Sequence, residues 1–319
     1  MSRTVVPKVV NSTHGPDVAS TRPPSRYVTR NYGTEIIALV RTTSQVSDCP
    51  HRYHDAVNEV WVPEYIDVHT ASVARMYDYY LGGAHNLEVD RTAARQAIAI
   101  MPQIVPTARA NRAFLQRAVR ACLELGIRQF LDLGSGIPTV GHVHEIAHAV
   151  DPTARVAYVD TDPIAVAHTE LLLADVPAAS ITRADMTNPA TVLSAPGVAD
   201  LLDFDRPMAV IAAAVLHFVA NDRKPREILN TYRDVTAPGS LLVFSHGAAS
   251  EGQPTKLGEL YQRTSHPLAG RTEAEIAELL EGWRLLEPGL VEANEWRPED
   301  LMTTPPERTP MLAALAGRP

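Results

Sequence analysis

From about residue 127 to residue 250, short apolar runs alternate with longer stretches of helical pattern. Ile127–Leu133 and Arg155–Asp160 alternate little, as strands buried on both faces should. Met208–Leu216 is the most apolar segment, and Ser180–Arg183 and Ser240–Ser245 complete a set of five strands. Between them, Pro138–Val150 and Ile164–Ala174 read as helices, each with a proline tolerated in or before the first turn. Repeated strand–helix units predict a parallel sheet with helices on both faces and right-handed crossovers. Further on come a helix over Thr272–Gly282, a strand over Trp283–Glu287, a turn at Pro288-Gly289 and a strand over Val291–Trp296. These predict a closing β-hairpin. Residues 299–319 form a Pro-, Thr- and Ala-rich tail with a short helix expected at Met311–Leu315. Toward the N-terminus, Val73, Met76, Tyr77 and Tyr80 share one helical face, with Arg75, Asp78 and Tyr79 on the other. Gly82 ends that helix in the left-handed manner. A long helix covers about Val105–Leu125, whereas residues 1–58 have little periodicity and read as disordered or loosely attached.

The candidate chemistry gathers at the ends of the expected strands. Asp132 lies two residues before the turn Gly134-Ser135-Gly136, where two residues without a Cβ allow close backbone approach to a ligand. Free N–H groups and a helix dipole would await a ligand there. The dinucleotide fingerprint asks for a third glycine at position 139, where Thr139 stands, and the Asp132 carboxylate would repel phosphates. An acid there suits a cationic or zwitterionic ligand better; the plainer alternative is that Asp132 fixes the turn by accepting backbone N–H groups. Asp160 ends the second strand, 24 residues after Gly136, where a carboxylate can accept both hydroxyls of a ribose. Asp162 reads as the N-cap of the next helix. Asp185, before Met186, either bonds an adenine amino group or caps the helix after Asn188. His217 and His246 follow the fourth and fifth strands at one predicted rim, where ligands gather in open α/β sheets. Each can accept a proton near neutrality, or be structural.

The chain of 319 residues has room for one large α/β domain with appendages. A formal charge of −8 and a pI near 5.8 argue against nucleic-acid binding, which needs a basic footprint. Met208–Leu216 is far shorter than the ~20 residues that cross a bilayer, and no basic amphipathic helix suggests a membrane surface. No leader is evident, so a cytoplasmic location is expected. Cys49 and Cys122 fit neither a metal spacing nor a disulfide framework. The pairs His51/His54 and His142/His144 lack any supporting Cys/His cluster, so no metal is expected.

Several segments together resemble one bacterial family. They are Ala74–Gly83 (ARMYDYYLGG), Arg109–Leu115 (RANRAFL), Gly126–Thr139 (GIRQFLDLGSGIPT), Tyr158–Pro163 (YVDTDP), Val215–Phe218 (VLHF) and Pro238–His246 (PGSLLVFSH). The family is that of S-adenosylmethionine-dependent methyltransferases formerly known only as a domain of unknown function, common in bacteria with large natural-product repertoires. The resemblance spans roughly Val60 to Pro298. It implies a class I, Rossmann-like fold with six parallel strands and one antiparallel strand, residues 127–298 forming the cofactor domain and residues 59–126 a helical lid. It also implies that Gly134, Ser135 and Gly136 hold the methionine end of S-adenosylmethionine, that Asp160 with Thr161 holds the ribose, and that Asp185 and Met186 line the adenine. Asp132, Gly82 and Gly83 are placed near the cofactor, and Asn86 near the cofactor or substrate. Arg109 or Arg112 would pair with the methionine carboxylate through a forked hydrogen bond. Thr161, His142 and the run Ala84-His85-Asn86 depart from the common pattern, and the changes at 84, 85 and 142 bear on the substrate more than on the cofactor.

An activated methyl group needs an in-line nucleophile ~3 Å away, so positioning supplies much of the rate. Where the nucleophile must lose a proton, His217, His246 and Tyr80 are the candidate bases. The expected partner is a small-molecule methyl acceptor, aromatic or heterocyclic, with indole alkaloids and cyclic dipeptides as examples; the chain is expected to be a monomer or homodimer. Two other functions share this pattern. One is an NAD-dependent dehydrogenase, which Asp132 and Thr139 disfavour. The other is a cofactor-binding regulatory protein without activity, since a fold alone does not imply function.

Overall fold

A computed structural model of the chain describes residues 67–138, 141–249, 256–298 and 309–319. The N-terminal extension, Cys49, the His51/His54 pair, residues 59–66 of the expected lid, Thr139 and residues 299–308 lie outside the described residues.

Five strands build the parallel part of one sheet: β1 (Gln129–Leu133), β2 (Arg155–Asp160), β3 (Ala179–Arg183), β4 (Ala209–Ala213) and β5 (Leu241–Gly247). They lie in the order β3-β2-β1-β4-β5, all parallel. The order reverses between β1 and β4, and ligands of open α/β sheets bind beyond the carboxyl ends of the strands at such a reversal. Side chains alternate between the two faces. Phe130 packs on one face with Phe114, Tyr158 and Trp296, and Leu131 and Leu133 pack on the other with Tyr232 and Phe244. Both faces are therefore dry, which is why these runs lack polar alternation.

The helices of the sheet are α4 (Val143–Val150), α5 (Pro163–Leu173), α6 (Pro189–Ser194), α7 (Pro196–Ala199), α8 (Pro225–Val235) and α10 (Glu273–Leu279). Asp162 caps α5 as expected, its carboxylate accepting the N–H groups of Ile164 and Ala165. The helix expected from Pro138 starts at Val143 instead. Gly141 takes φ +80° just before it, and Glu145 accepts the Gly141 and His142 N–H groups. Those donors are consequently engaged, and the glycine turn is a loop separated from the helix dipole.

The far edge corrects the expectation for the tail. Met311–Gly317 is a strand, β8, running antiparallel to β5 along seven paired residues, and every one of its residues is buried. Its other side pairs with two short pieces, β6 (Arg284–Leu285) and β7 (Val291–Glu292), which together make one broken edge strand. The sheet thus extends past residue 298, and no simple hairpin closes it. The stretch MLAALAG is rich in good helix formers, yet preferences among such residues amount to under ~1 kcal/mol each. Burying a leucine such as Leu312 or Leu315 contributes roughly 1.5–3 kcal/mol, and that burial exists only in the strand.

Three helices precede the sheet: α1 (Val73–Tyr80), α2 (Glu88–Ile100) and α3 (Ile104–Glu124). With α9 (Lys256–Tyr261) they bury a separate cluster that includes Met76, Tyr80, Ala97, Ile104 and Leu260. Both faces of α1 are occupied. Arg75 and Asp78, expected on its outer face, are almost fully buried. Among the described residues no helix is long and apolar enough to cross a membrane.

Candidate functional site

The carboxyl ends of β1, β2 and β4 open into a cavity of about 1040 Å³, roofed by α1, α3, α9 and the segment after α9. Two glycines shape its floor. Gly134 takes φ +73°, and a Cβ there would lie 2.4 Å from a methyl of Val215. Gly136 takes φ +69°, and a Cβ there would meet nothing within 4 Å. Between them the Ser135 hydroxyl is buried without a hydrogen-bond partner. An orphaned hydroxyl in a glycine cradle is what a polar ligand would satisfy.

Asp160 closes one side. One carboxylate oxygen accepts the Gly136 N–H at 2.7 Å, and the other accepts the Asp162 N–H at 2.8 Å. An ionised carboxylate has about four lone-pair sites, so two remain for ligand hydroxyls. Asp132 lies in the same wall, 6% exposed. Burial pushes its carboxyl up to about 7, against the pull of the Arg112 guanidinium and with a smaller push from Asp160. Burial raises the Asp160 carboxyl as well. Thr161, Asp185 and Met186 continue the lining. Asp185 accepts the N–H and hydroxyl of Thr187 rather than capping α6, whose N-cap is Asn188.

The other end of the cavity is aromatic and apolar, with Tyr77, Tyr80, Phe218, Tyr261, Ile104 and Leu268 among its walls. After β4 the chain turns out of the sheet at Ala214, a non-glycine at φ +54°. Its N–H is held by the Ser245 hydroxyl at 2.9 Å and the Ser245 carbonyl at 3.0 Å. The same hydroxyl donates to Asn111 at 2.5 Å, Asn111 donates to the Tyr77 hydroxyl at 2.9 Å, and Tyr77 donates to the Ala108 carbonyl at 3.0 Å. A polar thread thus ties β5 to α3 and α1 across the cavity, holding a strained turn of the kind that clusters at functional sites.

A second network fastens the helices beside the Asp160 end. Arg75 pairs with Asp90 at 2.7 Å and with Asp162 at 3.4 Å, and the Ser72 hydroxyl donates to Asp162 at 2.5 Å. Nothing in the spacing of these residues announced the pairing, because Arg75 and Asp162 meet only in the fold.

The expected site residues divide into three groups. Asp132, Gly134, Ser135, Gly136, Asp160, Thr161, Asp185, Met186, His217 and Tyr80 share the cavity. Of the two arginines, Arg112 lines it and Arg109 is exposed on α3. Gly82, Gly83 and Asn86 are outside its lining, and their roles are local. Gly82 closes α1 at φ +82°. A Cβ on Gly83 would fall 1.9 Å from an Asp78 carboxylate oxygen, and Asn86 donates to the other oxygen at 2.7 Å.

The candidate bases also need correction. His246 is fully buried away from the lining, with Nδ1 donating to the Gly247 carbonyl at 2.8 Å and Nε2 accepting from Arg271 at 3.0 Å. Both nitrogens are engaged, and burial holds its basicity down to about 4. The Tyr80 hydroxyl bonds that of Tyr261 at 2.9 Å, and burial pushes its ionisation far above the ordinary phenol value. Both groups are engaged within the protein, which argues against either as the base. His217 does line the cavity, on a 3-10 turn rather than at a strand end.

The comparisons with known proteins agree with this fold. The family model described as S-adenosyl methyltransferase matches residues 59–319. A solved structure of a candidate methyltransferase from Thermobifida fusca YX is 37% identical; the match covers 81% of this chain and 99% of that one, with a TM-score of 0.75. A DUF574 family protein from Streptomyces avermitilis MA-4680 is also 37% identical, with 79% and 99% covered and a TM-score of 0.74. No curated protein matches the chain. Fold, cavity and family model converge, and the chain belongs to the S-adenosyl methyltransferase family.

Proposed function

We propose that the chain methylates a small, neutral aromatic or heterocyclic molecule held at the aromatic end of the cavity. The observation that carries this is the continuity of the cavity. One space of about 1040 Å³ joins the acidic glycine cradle to a wall of tyrosines and Phe218, at the upper end of the ~300–1,000 Å³ typical of a ligand site. That is room for a cofactor with a modest acceptor beside it.

The residues present fit S-adenosylmethionine. Asp160 keeps two acceptor sites for ribose hydroxyls, the Ser135 hydroxyl awaits a partner, and Asp132 and Arg112 offer opposite charges to a zwitterionic amino-acid end. When bound, S-adenosylmethionine supplies an electrophilic methyl on a sulfonium. The chain's part is to orient the acceptor and exclude water, which supplies rate through proximity. Tyr77, Tyr80 and Tyr261 present ring area with hydroxyls already paired within the protein. With His246 and Tyr80 unsuited as bases, a ring nitrogen lone pair or an electron-rich aromatic carbon is favoured over an unactivated hydroxyl.

Calorimetric titration with S-adenosylhomocysteine tests the cofactor half. A mass-spectrometric screen of neutral aromatics, including indoles and cyclic dipeptides, tests the acceptor half. Micromolar binding followed by a methyl-for-hydrogen mass gain in that class is expected. Gains confined to charged aliphatic acceptors would refute the acceptor class.

A further inference from the structure

We propose that His217 serves the acceptor as a hydrogen-bond donor through Nε2–H, and so selects molecules carrying a neutral lone-pair group, such as a carbonyl or ring nitrogen, beside the methylated atom. This rests on the methyltransferase reading and assigns His217 a role opposite to that of a base.

The tautomer follows from the backbone. His217 Nδ1 lies 3.3 Å from the Gly247 nitrogen and accepts its N–H. A proton on Nδ1 would face that N–H head-on. The ring's proton therefore sits on Nε2, because the bond made by one nitrogen sets the state of the other. Nε2 has no hydrogen-bond partner among the described residues, and the ring lines the cavity beside Phe218. A base at this position would need a bare lone pair on Nε2, the nitrogen that carries the proton.

The surroundings keep the ring neutral. His246 packs edge-on at 5.4 Å between ring centres. Arg271 bonds His246 and also donates to the Leu216 and Val219 carbonyls on either side of His217. Burial above all, then the neighbouring His246 and the Arg271 guanidinium, hold the basicity of His217 well below its usual range. Gly247, Arg271 and His246 thus act as positioning groups, and His217 is the one that meets the acceptor.

The test uses the full chain labelled with [15N]histidine and saturated with S-adenosylhomocysteine. His217→Gln assigns the His217 signals, and nitrogen–proton correlation spectra at neutral pH read the tautomer. A pyridine-type Nδ1 with a pyrrole-type Nε2 is expected; a proton on Nδ1, or a doubly protonated ring, would overturn the proposal. A second arm titrates quinoline, which only accepts a hydrogen bond, and indole, whose N–H donates one, into the wild type, His217→Gln and His217→Phe. Quinoline affinity should fall about tenfold in the Phe variant and recover in the Gln variant, whose amide still donates, while indole affinity stays within about twofold. Indole loss with quinoline unchanged, or no loss of either, would overturn it. Failure to bind S-adenosylhomocysteine would instead remove the methyltransferase reading, so the two failures are distinguishable.

Discussion

Replacing Asp132 with asparagine should stabilise the ligand-free protein and weaken cofactor binding. The carboxyl is raised from 3.8 to about 7, chiefly by burial. A raised carboxyl means the folded chain holds the proton more tightly than the unfolded chain does. Stability is then highest below ~4, falls as pH rises between ~4 and ~7, and stays lower above ~7. A shift of this size corresponds to a cost of about 4 kcal/mol at pH 8, at 1.36 kcal/mol per pKa unit. Asparagine removes the charge, so the variant should gain most of that at pH 8 and little at pH 4. Denaturant unfolding at the two pH values measures the difference.

Binding should run the other way. An ammonium facing Asp132 wants the ionised form, and with the carboxyl at about 7 only ~1% is ionised at pH 5. Wild-type affinity for S-adenosylhomocysteine should therefore rise up to about a hundredfold from pH 5 to its plateau, then decline as the ligand amine deprotonates near ~8. The asparagine variant should lose most of that slope, keeping the part contributed by Asp160, whose carboxyl is raised in the same direction. At pH 7.5 it should bind roughly tenfold or more weakly, as loss of a hydrogen bond to a charged group predicts. Flat wild-type affinity, or weaker binding without any gain in stability at pH 8, would refute the reasoning.

Gly134→Ala should abolish cofactor binding, since its Cβ meets Val215 at 2.4 Å on a left-handed backbone; calorimetry would read this. Gly83→Ala should lower the melting temperature through its clash with Asp78, yet leave cofactor affinity within twofold in the folded protein, and a tenfold loss would return Gly83 to the cofactor site. Arg75→Met strands the buried Asp90 and should cost about 3–5 kcal/mol in denaturant unfolding. Tyr80→Phe or Tyr261→Phe leaves one buried hydroxyl unpaired at about 1–3 kcal/mol each. The double variant should cost less than the two together, which a double-mutant cycle measures.

The parts of this fold that were legible are those where one residue type admits one structure. The strand ends Asp132 and Asp160, the turn Gly134-Ser135-Gly136 and the cap Asp162 each depend on local chain geometry, and each stands where expected. The errors occur where tertiary burial overrides local preference. Met311–Gly317 reads as helix by propensity and becomes a strand because β5 and the broken edge bury it on both sides. His246 and His217 share a predicted rim and their rings do meet edge-on at 5.4 Å, but their surroundings differ. One is locked under Arg271, and the other is carried into the cavity on a 3-10 turn. Their order along the chain holds no sign of that.

Tertiary pairing of the same kind ties the helices that precede the sheet to the Asp160 wall. Asp162 has two oxygens and two duties. One oxygen caps α5, and the other accepts Ser72 and faces Arg75. Its N–H in turn donates to Asp160. The Asp160 carboxylate, proposed to hold the ribose, is thus one residue pair removed from a buried ion network on α1 and α2. Asp78, Gly83 and Asn86 support those helices without reaching the cavity. Cofactor affinity should accordingly depend on α1 and α2, and truncating the chain at the start of β1 would remove the Asp162 partners together with Tyr77 and Tyr80 of the aromatic wall.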